Sequence, residues 1–252
     1  MRNPAICRPA VLALLSLVSC VSLLIEAPSR GAEPSVYVWL EAEKPAYTNG
    51  DFQVEATGRP GLLSGGAWFR KSLGKNEVAG AVPREGFLLR YDFRVPEDGA
   101  YEVWARVGFE WARAPLEWRI GEGQWARASS DEQTTNVMEL GEWMEVAWLR
   151  LGTCTLKRGQ TRLEMRYRQP GKDGRMLMAL DCFALTKGKF VPEGRLKPGE
   201  AYDSEDDREA ARTVFELPPP TSVGRSQVKL NGLWQVARYD DPDMDVNAHE
   251  PV

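Results

Sequence analysis

The stretch from Phe87 to Gly108, FLLRYDFRVPEDGAYEVWARVG, constrains this chain most. Phe87, Leu89, Tyr91 and Phe93 alternate with Leu88, Arg90 and Asp92. After Pro96-Glu97-Asp98-Gly99, Tyr101, Val103, Ala105 and Val107 alternate with Glu102, Trp104 and Arg106. Successive side chains of a strand point to opposite faces, so each run reads as a half-buried strand. Proline fixes one backbone angle and Asp-Gly supplies a turn, so the two runs are expected to form an antiparallel hairpin.

The same period recurs on both sides. Val36–Glu43 alternates Val36, Val38, Leu40 and Ala42 against Tyr37, Trp39, Glu41 and Glu43. Leu116, Trp118 and Ile120 form a further strand, as do residues 145–151. Thr161, Leu163, Met165 and Tyr167 alternate with four charged residues. Met176–Leu185, MLMALDCFAL, is apolar on both faces and reads as an interior strand whose only charge is Asp181. Gly58–Gly86 has no sustained period and is expected to form long loops around a short strand at Ala67–Arg70. About eight strands at short spacing without helical period make the expected fold class all-β, an antiparallel sandwich.

Four segments are expected. Residues 1–31 read as a signal peptide: Arg2 and Arg8 precede an apolar core of signal-peptide length, roughly Pro9–Ile25, and Ser29-Arg30-Gly31 is a small-x-small cleavage site. The sandwich occupies 33–188. A linker with a short helix follows at 189–226, where Ser204-Glu205-Asp206-Asp207 resembles a capping box and Pro218-Pro219-Pro220 stops the helix. Residues 227–252 read as the truncated start of a second β domain. This predicts a secreted or periplasmic protein. The alternative is a lipid anchor on Cys20, since Leu17-Val18-Ser19-Cys20 resembles a lipobox. Outside the leader only Cys154 and Cys182 remain, read either as small buried hydrophobes or as one disulfide.

Much chemistry is excluded. The net charge of −4 gives no electrostatic reason for a nucleic-acid partner. The single histidine, His249, lies near the end of the chain, which removes His-dependent triads and histidine zinc sites from the sandwich. No phosphate-binding loop or dinucleotide fingerprint occurs. No catalytic residue is assigned, and whether the chain is an enzyme is left open. Eight of nine tryptophans lie between Trp39 and Trp148. Aromatic faces stack on sugar rings while neighbouring polar groups hold the hydroxyls. Trp118 and Trp148 lie inside strands and fit core packing. Trp68, Trp111, Trp125 and Trp143 sit near loops or glycines and are the candidate carbohydrate ligands.

The order VWLEAE, GAYEVWARVG, EVAWLRLGTCTLKRGQTRLEMRY, LDCFAL resembles the carbohydrate-binding modules of families 6 and 35 over about Ser35–Thr186. The resemblance implies a jelly-roll, galactose-binding-like sandwich and a polysaccharide or oligosaccharide partner. The sugar-binding Asn that those families often carry before the last strand has no counterpart in Met176–Ala179. VKLNGLWQVARYDDPD is similar to the opening of the sugar-binding domain of family 2 glycoside hydrolases, which implies a glycoside hydrolase parent with further domains of the same chain as partners. The expected function is a secreted, non-catalytic carbohydrate-binding module leading a truncated polysaccharide-degrading enzyme. The alternative is a structural sandwich that packs against further domains without binding sugar.

A carboxylate on an apolar strand must be neutralised, paired or metal-bound. The resemblance implies that Glu41, Glu43 and Asp181 hold a structural Ca2+ ion. Alternatively, Asp181 pairs with an arginine of another strand, such as Arg90 or Arg106, and the glutamates are solvated.

Overall fold

The computed structural model describes residues 36–110 and 112–204. The leader, the short helix and the residue 227–252 tail of the expected organisation lie outside these residues. The described chain is an all-β sandwich of two antiparallel sheets. In the seven-stranded sheet the order is β3 (Gln53–Glu55), β4 (Trp68–Leu73), β12 (Met176–Thr186), β6 (Gly99–Gly108), β10 (Met144–Leu156) and β9 (Thr134–Gly141). In the five-stranded sheet it is β2 (Tyr47–Thr48), β5 (Phe87–Val95), β11 (Gly159–Tyr167), β7 (Leu116–Ile120) and β8 (Ala126–Ala128). The remaining strand, β1 (Tyr37–Glu41), pairs with the second half of β12, whereas β4 pairs with its first half. Two strands therefore share one edge of β12 end to end.

The two alternating runs are both strands, but they do not form a hairpin. β5 pairs with β2 and β11, and β6 pairs with β10 and β12. Residues 96–98 are the corner by which the chain crosses from one sheet to the other. The Tyr101 hydroxyl donates to the Glu97 carbonyl at 2.9 Å. Asp98 accepts the Arg158 backbone N–H at 2.6 Å and Lys157 Nζ at 3.1 Å. These bonds, the backbone one first, hold its carboxyl below the usual range. The alternation reports which face is buried and not which strand lies beside it. Phe87, Leu89, Tyr91, Phe93 and Val95 of β5 pack in one core with Tyr101, Val103, Ala105 and Val107 of β6.

β12 is buried along its whole length, as its apolar sequence predicts. Its alternation changes parity midway. Met176, Met178 and Leu180 belong to the core between the sheets, and so do Phe183 and Leu185. The register with β6 slips between Leu180 and Cys182, which makes Asp181 the extra residue of a bulge. A bulge re-aims a side chain without ending the strand.

The seven-stranded sheet also has a buried outer face. Residues 189–204, the first part of the segment expected as a linker, pack on it. Phe190 meets the rings of Trp148 and Trp104 edge-on at 5.3 and 5.9 Å. Trp148 Nε1 donates to the Gly194 carbonyl at 2.8 Å, and Asn136 Oδ1 accepts the Gly194 N–H at 2.5 Å. Glu102 accepts the Phe190 N–H at 3.2 Å, and Arg195 Nε donates to the Gly61 carbonyl at 2.9 Å. Trp104, although it shares its strand face with Glu102 and Arg106, is thereby buried.

Removing a buried phenyl ring costs about 3 kcal/mol or more. Phe190→Ala is therefore expected to lower the free energy of urea unfolding by that amount and to shift tryptophan emission to the red. If residues 189–204 were only a tether, neither reading would change.

Candidate functional site

Asp181 stands where β1 ends and β4 has not yet begun. β1 reaches its last pair at Glu41–Cys182, and Ala42 N–H donates to the Asp181 carbonyl at 3.0 Å. The chain then crosses to β2 in the other sheet, returns as β3, and passes through two 3-10 turns, Pro60–Leu62 and Ser64–Gly66, before β4. These turns lie over the Asp181 bulge. The Ser64 N–H donates to Asp181 Oδ1 at 2.9 Å. Arg106, on the outer face of the adjacent β6, donates through one guanidinium nitrogen to Asp181 Oδ2 at 2.7 Å and to the Leu62 carbonyl at 2.7 Å. Both side chains of this ion pair are 0% exposed.

Burial pushes the Asp181 carboxyl up to about 6, while Arg106 and the Ser64 N–H pull it down and Glu41 pushes it further up. The Cys182 thiol donates to Asp181 at 3.6 Å and is raised by burial. Cys154 and Cys182 are both free thiols, and burial raises Cys154 to about 11.

The three carboxylates of the expected metal site are thus divided. Asp181 has an arginine as its counter-ion, and Glu41 and Glu43 meet instead at Gly65. Gly65 has φ +64°, and a Cβ placed on it would lie 3.2 Å from Glu43 Oε1 and 3.7 Å from Glu41 Oε2. Glu41 Oε2 and Glu43 Oε2 are both buried without a hydrogen-bond partner. Lys44 approaches Glu43 at 3.6 Å but is 73% exposed. Among the described residues, no group of three or more His, Cys, Asp or Glu side chains is gathered for a metal. Two carboxylates with unpartnered buried oxygens nevertheless form a hard, anionic oxygen pair of the kind calcium prefers.

The candidate tryptophans do not form one site. Trp68 is 0% exposed, correcting its assignment to a ligand surface; it stacks on Phe109 at 5.6 Å beneath the outer face. Its ring packs against Gly108, where a Cβ would meet it at 2.7 Å, whereas Gly65 and Gly66 just before it lie in a turn. Trp111 lies outside the described residues. Trp143 is 66% exposed at the tip between β9 and β10, where its φ is +63° and its Nε1 donates to Glu142 at 3.0 Å. Trp125 stands before β8 on the five-stranded sheet. It is half-buried, with the Arg166 and Arg119 guanidinium groups 4.0 and 4.5 Å from its ring centre.

Trp125 belongs to a polar surface that no single stretch of sequence displays. The register aligns Arg166, Glu117 and Arg127 across β11, β7 and β8, and Arg90, Glu164 and Arg119 across β5, β11 and β7. Arg166 Nε donates to Glu117 at 2.7 Å, and Arg119 Nε to Glu164 at 2.5 Å. Both cations stacked on Trp125 are thereby fixed by carboxylates. The only advance signal was the charged half of each alternating strand.

No protein-family model and no curated protein matches the sequence. Solved structures similar to this chain include the GH26-CBM35 β-(1,4)-mannanase of Podospora anserina, with 12% identity and a TM-score of 0.42 over 62% of this chain and 29% of that one. Others are the C-terminal CBM6 of LamC, a marine laminarinase from Zobellia galactanivorans (16%, 0.37, 60% and 99%), and the CBM35 of Abf62 from Cellvibrio japonicus (11%, 0.37, 61% and 94%). The chain thus spans less than a third of the mannanase and nearly all of the two isolated modules. Likeness at this level does not decide a ligand.

Breaking a buried pair by removing one partner leaves an uncompensated charge, at a cost of about 3–5 kcal/mol. Asp181→Ala is expected to lose that much in urea unfolding. Arg106→Met combined with Asp181→Leu should recover most of it. A loss below about 1 kcal/mol in the single variant would show that the pair does not hold the sheet junction, since that is the worth of an exposed pair.

Proposed function

We propose that the sandwich is a non-catalytic carbohydrate-binding module of an exported, polysaccharide-degrading protein, with Trp125 as its sugar platform. The observation that carries this is the setting of Trp125. Its indole is half-exposed, laid on two arginines that are themselves held by Glu117 and Glu164, beside further hydrogen-bonding side chains. A rigid aromatic surface flanked by polar groups suits a pyranose, whose apolar face stacks while its hydroxyls bond. Holding the ring in advance reduces the entropy lost on binding. Trp143 offers more exposed area but projects from a turn. Among the described residues, no helix is long and apolar enough to cross a membrane.

Calcium belongs to the same proposal. Glu41 and Glu43 would hold the ion against Gly65, and an ion there neutralises two carboxylates that otherwise repel each other and each bury one oxygen without a hydrogen-bond partner. Its part is structural: it adds stability by binding the folded state.

Two measurements check this reading. In affinity electrophoresis of the full chain over a panel of neutral and acidic plant and algal polysaccharides, at least one polymer should retard the protein, and Trp125→Ala should abolish the retardation while Trp143→Ala does not. Absence of retardation on every polymer would favour the purely structural alternative. Separately, calcium at a hundredfold excess over its Kd adds about 2.7 kcal/mol, or about 5–10 °C in Tm for a chain of this size. EGTA should remove that increment, and Glu41→Gln with Glu43→Gln should make the melt indifferent to EGTA. A wild-type melt indifferent to EGTA would refute the ion.

A further inference from the structure

Next to Trp125, on the same face of the five-stranded sheet, the surface sinks into a shallow, solvent-open pocket lined by Pro115, Glu117, Arg127, Arg168 and Gln169. Trp125 and Arg127 are two residues apart on one edge, so that the strand period puts them on one side. The ion pairs around the pocket are already assigned. Glu117 is engaged by Arg166, and Glu164 by Arg119 and, at 3.6 Å, by Arg162. Arg162 also pairs with Glu122. That leaves two cations. Arg127 donates to Gln169 Oε1 at 2.9 Å, a neutral acceptor. Among the described residues, no carboxylate lies within ion-pair distance of Arg127 or Arg168.

We propose that this pocket is a subsite for a negatively charged substituent of a polysaccharide, a uronate carboxylate or a sulfate ester, clamped by Arg127 and Arg168 while Trp125 carries the neighbouring sugar ring. The inference rests on the carbohydrate-binding reading above and narrows its ligand to acidic glycans. Three observations support it. A guanidinium presents a planar fork of donors that matches a carboxylate or sulfate bidentately. Gln169 orients Arg127 without neutralising it. The pocket's one carboxylate, Glu117, is held by Arg166 at 2.7 Å, so it does not compete for the two free cations. The arginines are exposed, so each charged contact is weak in isolation and screened by salt. Useful affinity comes from repetition of the charged unit along a polymer.

The test measures retention of the full chain at physiological salt on immobilised polygalacturonate, carrageenan, an uncharged galactan and polyglutamate. The proteins compared are wild type, Arg127→Gln with Arg168→Gln, Trp125→Ala, and Arg94→Gln as a control for net charge on the same sheet. The expected result is preferential retention on polygalacturonate or on carrageenan, the first assigning a carboxylate and the second a sulfate. The double arginine variant should lose at least fivefold in affinity for that polymer and nothing on the uncharged galactan, and Arg94→Gln should be silent. Equal retention on charged and uncharged glycans, unaffected by the double variant, would overturn the subsite and leave the carbohydrate-binding reading standing. Equal retention on polyglutamate, or an equal loss from Arg94→Gln, would overturn it as general attraction to polyanions. Retention on no glycan would overturn both.

Discussion

The buried pair of Arg106 and Asp181 is the interaction on which the rest of this sandwich depends. It joins β6 to β12 at the bulge where β1 gives way to β4, and it fastens the turns of residues 60–66 over that junction through the Leu62 carbonyl and the Ser64 N–H. Two charges withdrawn from water are costly unless their remaining hydrogen-bonding capacity is met. Here backbone groups meet part of it for both partners. The cost has a structural consequence: the turns that lead from β3 to β4 cannot move away without exposing or orphaning a charge. Those turns carry Gly65, and therefore set the place where Glu41 and Glu43 come together.

The outer face of the seven-stranded sheet follows from the same junction. Trp39, Trp104 and Trp148 cluster beside Cys182 and Ala184 and would make a wide aromatic surface if left open. Residues 189–204 cover it, inserting Phe190 between two indoles. The tryptophan-rich half of the sequence is thus largely a second core. The polar, arginine-laced face of the five-stranded sheet is where an indole remains available to solvent in a rigid setting.

How much of this was legible in the sequence depended on the range of the cause. Strand content, the buried faces of β5, β6 and β11, and the fully buried β12 followed from local period, because each is decided by residues one or two apart. The pairing of β5 with β6 did not, since alternation is the same in a hairpin and in a corner that changes sheets. The short strands β2, β3 and β8, two or three residues each, hold too few side chains to show a period. Asp181 was recognisable as a charge needing a partner, and Arg106 was one of two arginines weighed for it; choosing between them required the β12–β6 register. Trp68 was misplaced because Gly65 and Gly66 do mark a turn, but β4 starts directly after it and its first side chain is packed against Gly108, forty residues away. The pocket at Arg127 and Arg168 unites residues about forty apart in sequence, and nothing local announces it.

Asp181 has Arg106 as its counter-ion, and in the proposal above a calcium ion would be held by Glu41 and Glu43. An anomalous difference map from crystals grown with calcium tests that division most directly. One peak is expected between Glu41 and Glu43 beside Gly65, with the Arg106–Asp181 ion pair intact. No peak there, or a peak ligated by Asp181 with Arg106 displaced, would contradict it.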